Sequence, residues 1–434
     1  MGEPPVPFRD AVRVWWRIGW ASFGGPAAQI ATMHRVVVDE KKWVDEPRFL
    51  HALNFCMLLP GPEAQQLATY LGWLMHGVRG GLVAGLLFIL PGALIMLALS
   101  ALYAAHADVS FVAAALFGIQ CAVLAIVVEA MIRIGRRSLK TRLHRILAVA
   151  AFVALYGFAV PFPLCVLGAG VVGLVLPGAS PPADPQLASP RVAWTRTAST
   201  LAIGVALWGL PIVPLLLWLG REHVLVGLAT FFAKLAVVTF GGAYAVLSYV
   251  AQAAVERFQW VSPTEMVDGL GLAETTPGPL ILVLQFVGFL AAHRHGAPLE
   301  PWTAGVLGAV VTLWVTFVPC FVWIIAGAPY VERLRTQPRL ANALACITAA
   351  VTGVFLNLAV WFAMNVLFSD VHRVDAGWCS LLVPALGSIR VVAVGIAAVC
   401  GWVLLVRKRS VLEVLTLAVV LGIAAFYAGA WSVK

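Results

Sequence analysis

Charge is what this sequence has least of. Only 11% of its 434 residues are Asp, Glu, Lys or Arg, where a soluble globular domain carries about 25%. So few charges cannot clothe an ordinary water-facing surface. Signatures of common chemistry are missing too: no HExxH, P-loop or GxSxG motif occurs. That argues against ATP-driven work within the chain and against the common hydrolases. The seven cysteines, at 56, 121, 165, 320, 346, 379 and 400, form no CxxC pair and read as small apolar packing residues. No metal and no cofactor is expected. The stretch from Met1 to Asp10 is short, proline-rich and charged, and Arg13 and Arg17 interrupt the first apolar run, so no cleavable leader is expected. Alternating ten-residue strands, which a transmembrane barrel requires, are not the pattern here.

What the chain does have is apolar length. It is 61% hydrophobic, with a mean hydropathy of +0.93. Runs long enough to span a bilayer cover 81–105, 110–132, 143–160, 161–177, 195–219, 301–327, 340–368, 388–406 and 410–431. Four further runs, 11–33, 49–75, 224–250 and 264–292, carry internal breaks. The pattern predicts an all-α polytopic membrane protein with about thirteen hydrophobic segments. The net charge of +9 suits anionic headgroups and cytoplasmic loops and implies no nucleic acid.

The breaks repeat. Phe23-Gly24-Gly25, Trp43-Val44 and Pro60-Gly61-Pro62 return as Phe240-Gly241-Gly242, Trp260-Val261 and Pro277-Gly278-Pro279. The offset is 217 each time (240 less 23, 260 less 43, 277 less 60). The division expected is a first repeat at 1–177, a proline-rich linker at 178–194, an extra hydrophobic segment at 195–221 and a second repeat at 222–434. Six Lys and Arg residues at 133–145 place that loop in the cytoplasm. An odd number of crossings then separates the copies, so the repeats are expected to be inverted. The basic loop 34–48 leaves two readings of 11–33 and 49–75. Either both cross, or both are re-entrant hairpins that return the loop to the cytoplasm, and the hairpins are favoured. The inverted relation holds in each case.

Broken helices at matching places in two halves point to a transport site. Glycine pairs let a ligand approach the backbone. After each Pro-Gly-Pro a new half-helix can begin, with free N–H groups and about half a positive charge at its start. Four such ends meeting near the bilayer midplane would form an anion site built from backbone; the alternative is that the breaks are kinks that shape packing. Candidate binding residues are Phe23, Gly24, Gly25, Pro60, Gly61, Pro62, Gln65, Phe240, Gly241, Gly242, Thr276, Pro277, Gly278 and Pro279. Arg17 and Lys234, also 217 apart, would offset the anion's charge or else snorkel toward water. Glu63 and Glu274, beside the two Pro-Gly-Pro turns, and Glu129, deep in 110–132, are candidates to carry a coupling proton.

At these residues the chain resembles the chromate ion transporter family. The marks are Phe23-Gly24-Gly25-Pro26 with Gln29, Trp43-Val44, Leu59-Pro60-Gly61-Pro62 with Gln65, the Gly80 to Gly85 stretch and Leu90-Pro91-Gly92. Phe240-Gly241-Gly242, Thr276-Pro277-Gly278-Pro279 and Val318-Pro319 match in the second half. The resemblance spans both halves and implies a long, two-domain member. It implies export of chromate across the bacterial inner membrane, chromate resistance, and sulfate as a chemically similar competitor. The second copy departs from the first: Ala243 stands for Pro26 and Leu280 for Glu63, and no glycine pair answers clearly to Gly80-Gly81. The expected function is a secondary transporter working by alternating access, by proton coupling or anion exchange. Its partners are chromate, sulfate in competition, and the lipid bilayer. Assembly into a homo-oligomer is left open. Rivals are a transporter of sulfate or another oxyanion, a polytopic membrane enzyme and a membrane scaffold.

Overall fold

The structure, a computed structural model, describes residues 6–57, 59–107, 109–158, 160–176, 194–238, 243–328, 338–375 and 380–430. Residues 178–193 of the expected linker, and Phe240, Gly241 and Gly242, lie outside these. Apolar segments with no water to bond must satisfy their own backbone, and helices do so locally. The described chain is accordingly almost all helix. The first half runs α1 (Phe8–Ala21), α2 (Gly25–His34), a π-helical turn (Arg35–Glu40), α3 (Glu46–Cys56), α4 (Glu63–His106), α5 (Ser110–Ser138), α6 (Arg142–Phe158) and α7 (Phe162–Val175). Then come α8 (Trp194–Gly209) and α9 (Ile212–Leu219). The second half runs α10 (Val224–Val238), α11 (Ala243–Gln252), a π-helical turn (Ala253–Arg257), α12 (Pro263–Thr275), a 3-10 turn (Leu280–Leu282), α13 (Val283–His295), α14 (Pro301–Gly327) and α15 (Pro338–Leu367). It ends with α16 (Val391–Gly401), a π-helical turn (Trp402–Val406) and α17 (Val411–Tyr427).

Among the described residues, five helical stretches are long and apolar enough to cross a membrane: Glu63–His106, Ser110–Ser138, Thr197–Leu219, Pro301–Gly327 and Asn342–Leu367. Shorter apolar helices, among them Phe162–Val175 and Val411–Tyr427, accompany them. The protein is an all-α polytopic membrane protein. A small antiparallel hairpin of β1 (Val371–Asp375) and β2 (Ser380–Pro384) pairs Val371 with Pro384 and Asp375 with Ser380. It occupies the gap between two apolar runs, where the sequence reading placed no element.

The local geometry recurs at the sequence offset. The Trp43 N–H closes the first π turn on the Val37 carbonyl at 2.9 Å, and the Trp260 N–H closes the second on Ala254 at 2.8 Å. Lys42 and Gln259 both take left-handed backbone, φ 53° and 52°, unusual for residues with a side chain. The helix that follows is capped each time. Asp45 accepts from the Arg48 N–H at 2.8 Å, and the Ser262 hydroxyl accepts from the Glu265 N–H at 3.2 Å. The conserved spacing of the two tryptophans in the sequence therefore marks a turn and its cap.

Contacts divide the chain into two units. Unit 1 comprises 1–100, 179–243 and 276–341, and unit 2 comprises 101–178, 244–275 and 342–434. In unit 1, Trp15, Ile18, Phe49, Phe55, Leu67, Leu71 and Phe88 pack in one core with Ile324 of α14. Helix α4 bends at His76 and Gly77, whose backbone is not helical. Its two arms then lie against each other: a Cβ on Gly72 would meet the Gly80 carbonyl oxygen at 2.4 Å, and one on Gly80 the Gly72 oxygen at 2.2 Å. Helices α13 and α14 do the same through Gly288 and Gly308, where a Cβ on Gly308 would meet the Gly288 oxygen at 2.3 Å. Gly308 thus answers to Gly80, a match the sequence hid because the offset grows to 228 past the turn (308 less 80, 319 less 91).

Helix α8 is tied to α14 by two indoles. Pro319, inside α14, has no N–H for the carbonyl of Val315, and Pro211 has none for Leu207. The Trp208 indole N–H donates to Val315 at 2.9 Å, and that of Trp314 donates to Leu207 at 2.7 Å. In unit 2, α5 is the buried centre, packed by α12, α16 and α17. Gly118 and Gly422 let α5 and α17 approach closely: a Cβ on Gly118 would stand 2.1 Å from the Ala418 oxygen.

Candidate functional site

Both Pro-Gly-Pro turns belong to unit 1, and each starts a helical element: α4 at Glu63 and the 3-10 turn at Leu280. Gly61 and Gly278 have φ of 127° and 89°, a region open to glycine alone without strain. The second turn is clasped by the first repeat. The Gly278 N–H donates to the Ser22 carbonyl at 2.8 Å, and the Gln29 side-chain amide donates to the Gly278 carbonyl at 2.6 Å. Ser22 and Gln29 flank Phe23-Gly24-Gly25, where α1 ends and α2 begins. So the glycine break of one repeat is bonded to the proline break of the other. On the α4 side, a Cβ on Gly92 would stand 2.0 Å from the Pro277 carbonyl oxygen. Nearby, Gln285 of α13 donates to the Ala93 carbonyl at 2.9 Å.

The first turn is met by the second repeat. A Cβ on Gly61 would stand 2.7 Å from Sγ of Cys320 on α14. Cys320 follows Pro319 as Gly92 follows Pro91, so each turn meets the corresponding helix position of the other repeat. The Gln66 amide donates to the Pro60 carbonyl at 2.7 Å and ties the turn to α4. Gly61 and Pro62 line a narrow cleft with Phe232 and Leu235 of α10, Ile281 and Leu284, and Thr316 of α14.

Among the described residues, unit 1 buries polar atoms that have no partner: Oε1 of Gln29, Gln65, Gln66 and Gln285, the Thr316 hydroxyl beside the first turn, and the Thr312 hydroxyl, which faces Gly288 of α13. All six residues are less than a tenth exposed. Each orphan costs about 1–3 kcal/mol. The amide nitrogens already donate, three to backbone carbonyls and that of Gln65 to the Thr69 hydroxyl, so the oxygens are the unused ends.

The sequence candidates distribute as follows. Phe23 is half-buried and Gly24, in left-handed backbone, caps α2. Gly25, Gly61, Pro62, Gln65, Thr276, Pro277, Gly278 and Pro279 are buried, and Pro60 half-buried. Glu63 is half-buried in the first turn of α4, where a carboxylate suits the helix dipole. Arg17 and Lys234 are exposed, on α1 and α10. Glu274 is buried at the end of α12, and Glu129 on α5 pairs with Arg133 at 3.4 Å; both belong to unit 2. Phe240, Gly241 and Gly242 lie outside the described residues. Thr312 and Thr316 were not singled out from the sequence, because a threonine in an apolar helix gives no sign of which way it faces.

The family model for chromate transporters matches residues 9–174 and again 226–429. The second match begins 217 positions after the first (226 less 9). The chromate transport protein of Pseudomonas aeruginosa is 34% identical, over 81% of this chain and 80% of its own length. The probable chromate transport protein of Synechococcus elongatus is 28% identical over 82% and 85%, and the chromate transport protein of Cupriavidus metallidurans 28% over 83% and 84%. No solved structure matches the chain.

Proposed function

This chain belongs to the chromate transporter family and is a multi-pass membrane transport protein rather than an enzyme; we propose that it exports chromate across the bacterial inner membrane and so gives resistance. The observation that carries the reading is the reciprocal meeting of the two Pro-Gly-Pro turns with the opposite repeat, surrounded by unpartnered polar atoms. A tetrahedral dianion needs donors on several sides. The helix starts after Pro62 and Pro279 supply backbone N–H groups, and the Thr316 hydroxyl supplies another donor. The free amide oxygens accept hydrogens from waters that enter with the ion. Gly24 and Gly25 keep the approach free of side chains.

The cleft at Gly61 is too narrow for the ion as it stands, so loading requires α10 or α14 to move away from the turn. Inverted repeats rocking against each other would open it to alternate sides. Arg17 and Lys234, being exposed, draw the anion in and offset its charge from outside the cleft. The inside-negative potential favours exit by about 2.3 kcal/mol per charge per 100 mV. A backbone-and-hydroxyl cage recognises shape and charge, so sulfate competes. The test is labelled chromate flux in proteoliposomes with and without excess sulfate. Chromate flux that sulfate inhibits is expected, and no flux of either ion would end this reading.

A further inference from the structure

Unit 2 holds a second polar centre, at Asp268 in the middle of α12. Asp268 is 2% exposed. Tyr103, in the last turns of α4, donates its hydroxyl to Oδ2 at 2.8 Å, and the Gln120 amide on α5 donates to Oδ1 at 2.7 Å. Both partners are buried and neutral. No cation pairs with this carboxylate among the described residues. An acid kept inside an apolar bundle without a counter-charge is costly and is by default functional.

The partners are suited to a group that changes state. Gln120 Nε2 can only donate, and Oδ1 can accept from it whether Asp268 is ionised or protonated. The Tyr103 hydroxyl is both donor and acceptor. It donates to Oδ2 of the carboxylate, and accepts from Oδ2 once a proton sits there. The same heavy-atom contacts therefore serve both states, with the Tyr103 hydroxyl hydrogen turning away from Oδ2 when the acid is protonated. The charged and titratable groups around it do not compete for the role. Tyr103 faces it from α4 and Gln120 from α5. Further along α5, Glu129 pairs with Arg133. On α17, Glu413 pairs with Arg409 in an exposed position. On α12 itself, Glu265 acts on Asp268 as a like charge while its carboxylate accepts from the Ser262 N–H, and Glu274 lies six residues further on.

The geometry points to Asp268 as a proton-binding site of the transport cycle: Oδ2 takes one proton from the water of one compartment and releases it to the other, so that chromate movement is coupled to the pH gradient. This rests on the transport reading above. In proteoliposomes with the membrane potential clamped, a gradient of one pH unit is equivalent to a tenfold ratio per proton carried. The wild-type steady-state chromate ratio should shift by up to about tenfold when that gradient is imposed. Asp268→Asn keeps both hydrogen bonds, with its amide donating to the Tyr103 oxygen, but cannot take a proton. It should still exchange chromate for chromate and lose the shift entirely. Tyr103→Phe should displace the pH profile of the exchange rate, whereas a merely structural bond would lower the rate equally at every pH. An Asp268→Asn protein that keeps the full shift overturns the proposal. So does a wild-type protein that exchanges chromate with no shift and a Tyr103→Phe profile that does not move. A wild-type protein that moves no chromate at all removes the transport reading, and this proposal with it.

Discussion

The side-chain amide of Gln29 donates to the backbone carbonyl of Gly278 at 2.6 Å, across 249 positions of the chain. With the Gly278 N–H bonded to Ser22, one peptide turn of the second repeat has both its polar groups answered by the first. Replacing Gln29 by Leu leaves the buried Gly278 carbonyl without its donor, at a cost of about 1–3 kcal/mol. The expected result is a lower thermal midpoint in detergent and a loss of chromate flux greater than the loss of folded protein. Flux per folded molecule equal to wild type would show that the clasp is structural only.

Close backbone approach gives a sharper test. Gly92→Ala puts a methyl group 2.0 Å from the Pro277 oxygen, so α4 and the second turn must separate. Gly168, in α7, has nothing within 4 Å of its added Cβ. Gly168→Ala should leave flux unchanged and stabilise by about 0.5–1 kcal/mol through the helix propensity of alanine. Gly92→Ala should abolish transport while the protein still inserts, as read by flux and by membrane extraction.

Thr316→Val removes a buried hydroxyl that has no partner among the described residues and keeps the shape of the side chain. Stability should hold or rise, since an orphan is lost. If the hydroxyl bonds the ion during transport, apparent chromate affinity should fall by about 1 kcal/mol, roughly fivefold. Affinity measured by concentration-dependent exchange decides it; no change would place Thr316 outside the ion's path.

Arg17 and Lys234 are exposed, and exposed charges act at a distance that salt shortens, to about 10 Å at 0.1 M. Arg17→Met and Lys234→Met should each raise the half-saturating chromate concentration at low salt. That effect should fade at high salt, with the maximal exchange rate kept. A fall in maximal rate that salt does not alter would mean direct contact with the ion, and no effect at any salt would remove both residues from the mechanism.

Much of the local structure was legible in the sequence. The helix starts after Pro60-Gly61-Pro62 and after Pro277-Gly278-Pro279 follow from what proline and glycine permit, and the recurring Trp-Val pair marked a recurring turn. Gly308 was harder, because a longer loop after α13 moved it out of register with Gly80. Asp268 was passed over in favour of Glu274, since a sequence places an acid in an apolar run without saying what faces it. The indole bonds of Trp208 and Trp314 were likewise hidden: Pro319 and Pro211 mark carbonyls that lose the usual helical donor, and nothing local names the indoles that answer them.

Composition, apolar length and the 217-residue offset by themselves determined a helical membrane protein with two related halves and breaks at known places. These depend on solvation and on backbone rules that act over a few residues. Which break meets which was decided only in three dimensions. Gln29 reaches Gly278, Cys320 meets Gly61, and Tyr103 and Gln120 close on Asp268. A buried hydrogen bond gains its strength from exclusion of water, and only the packed assembly of distant helices excludes it.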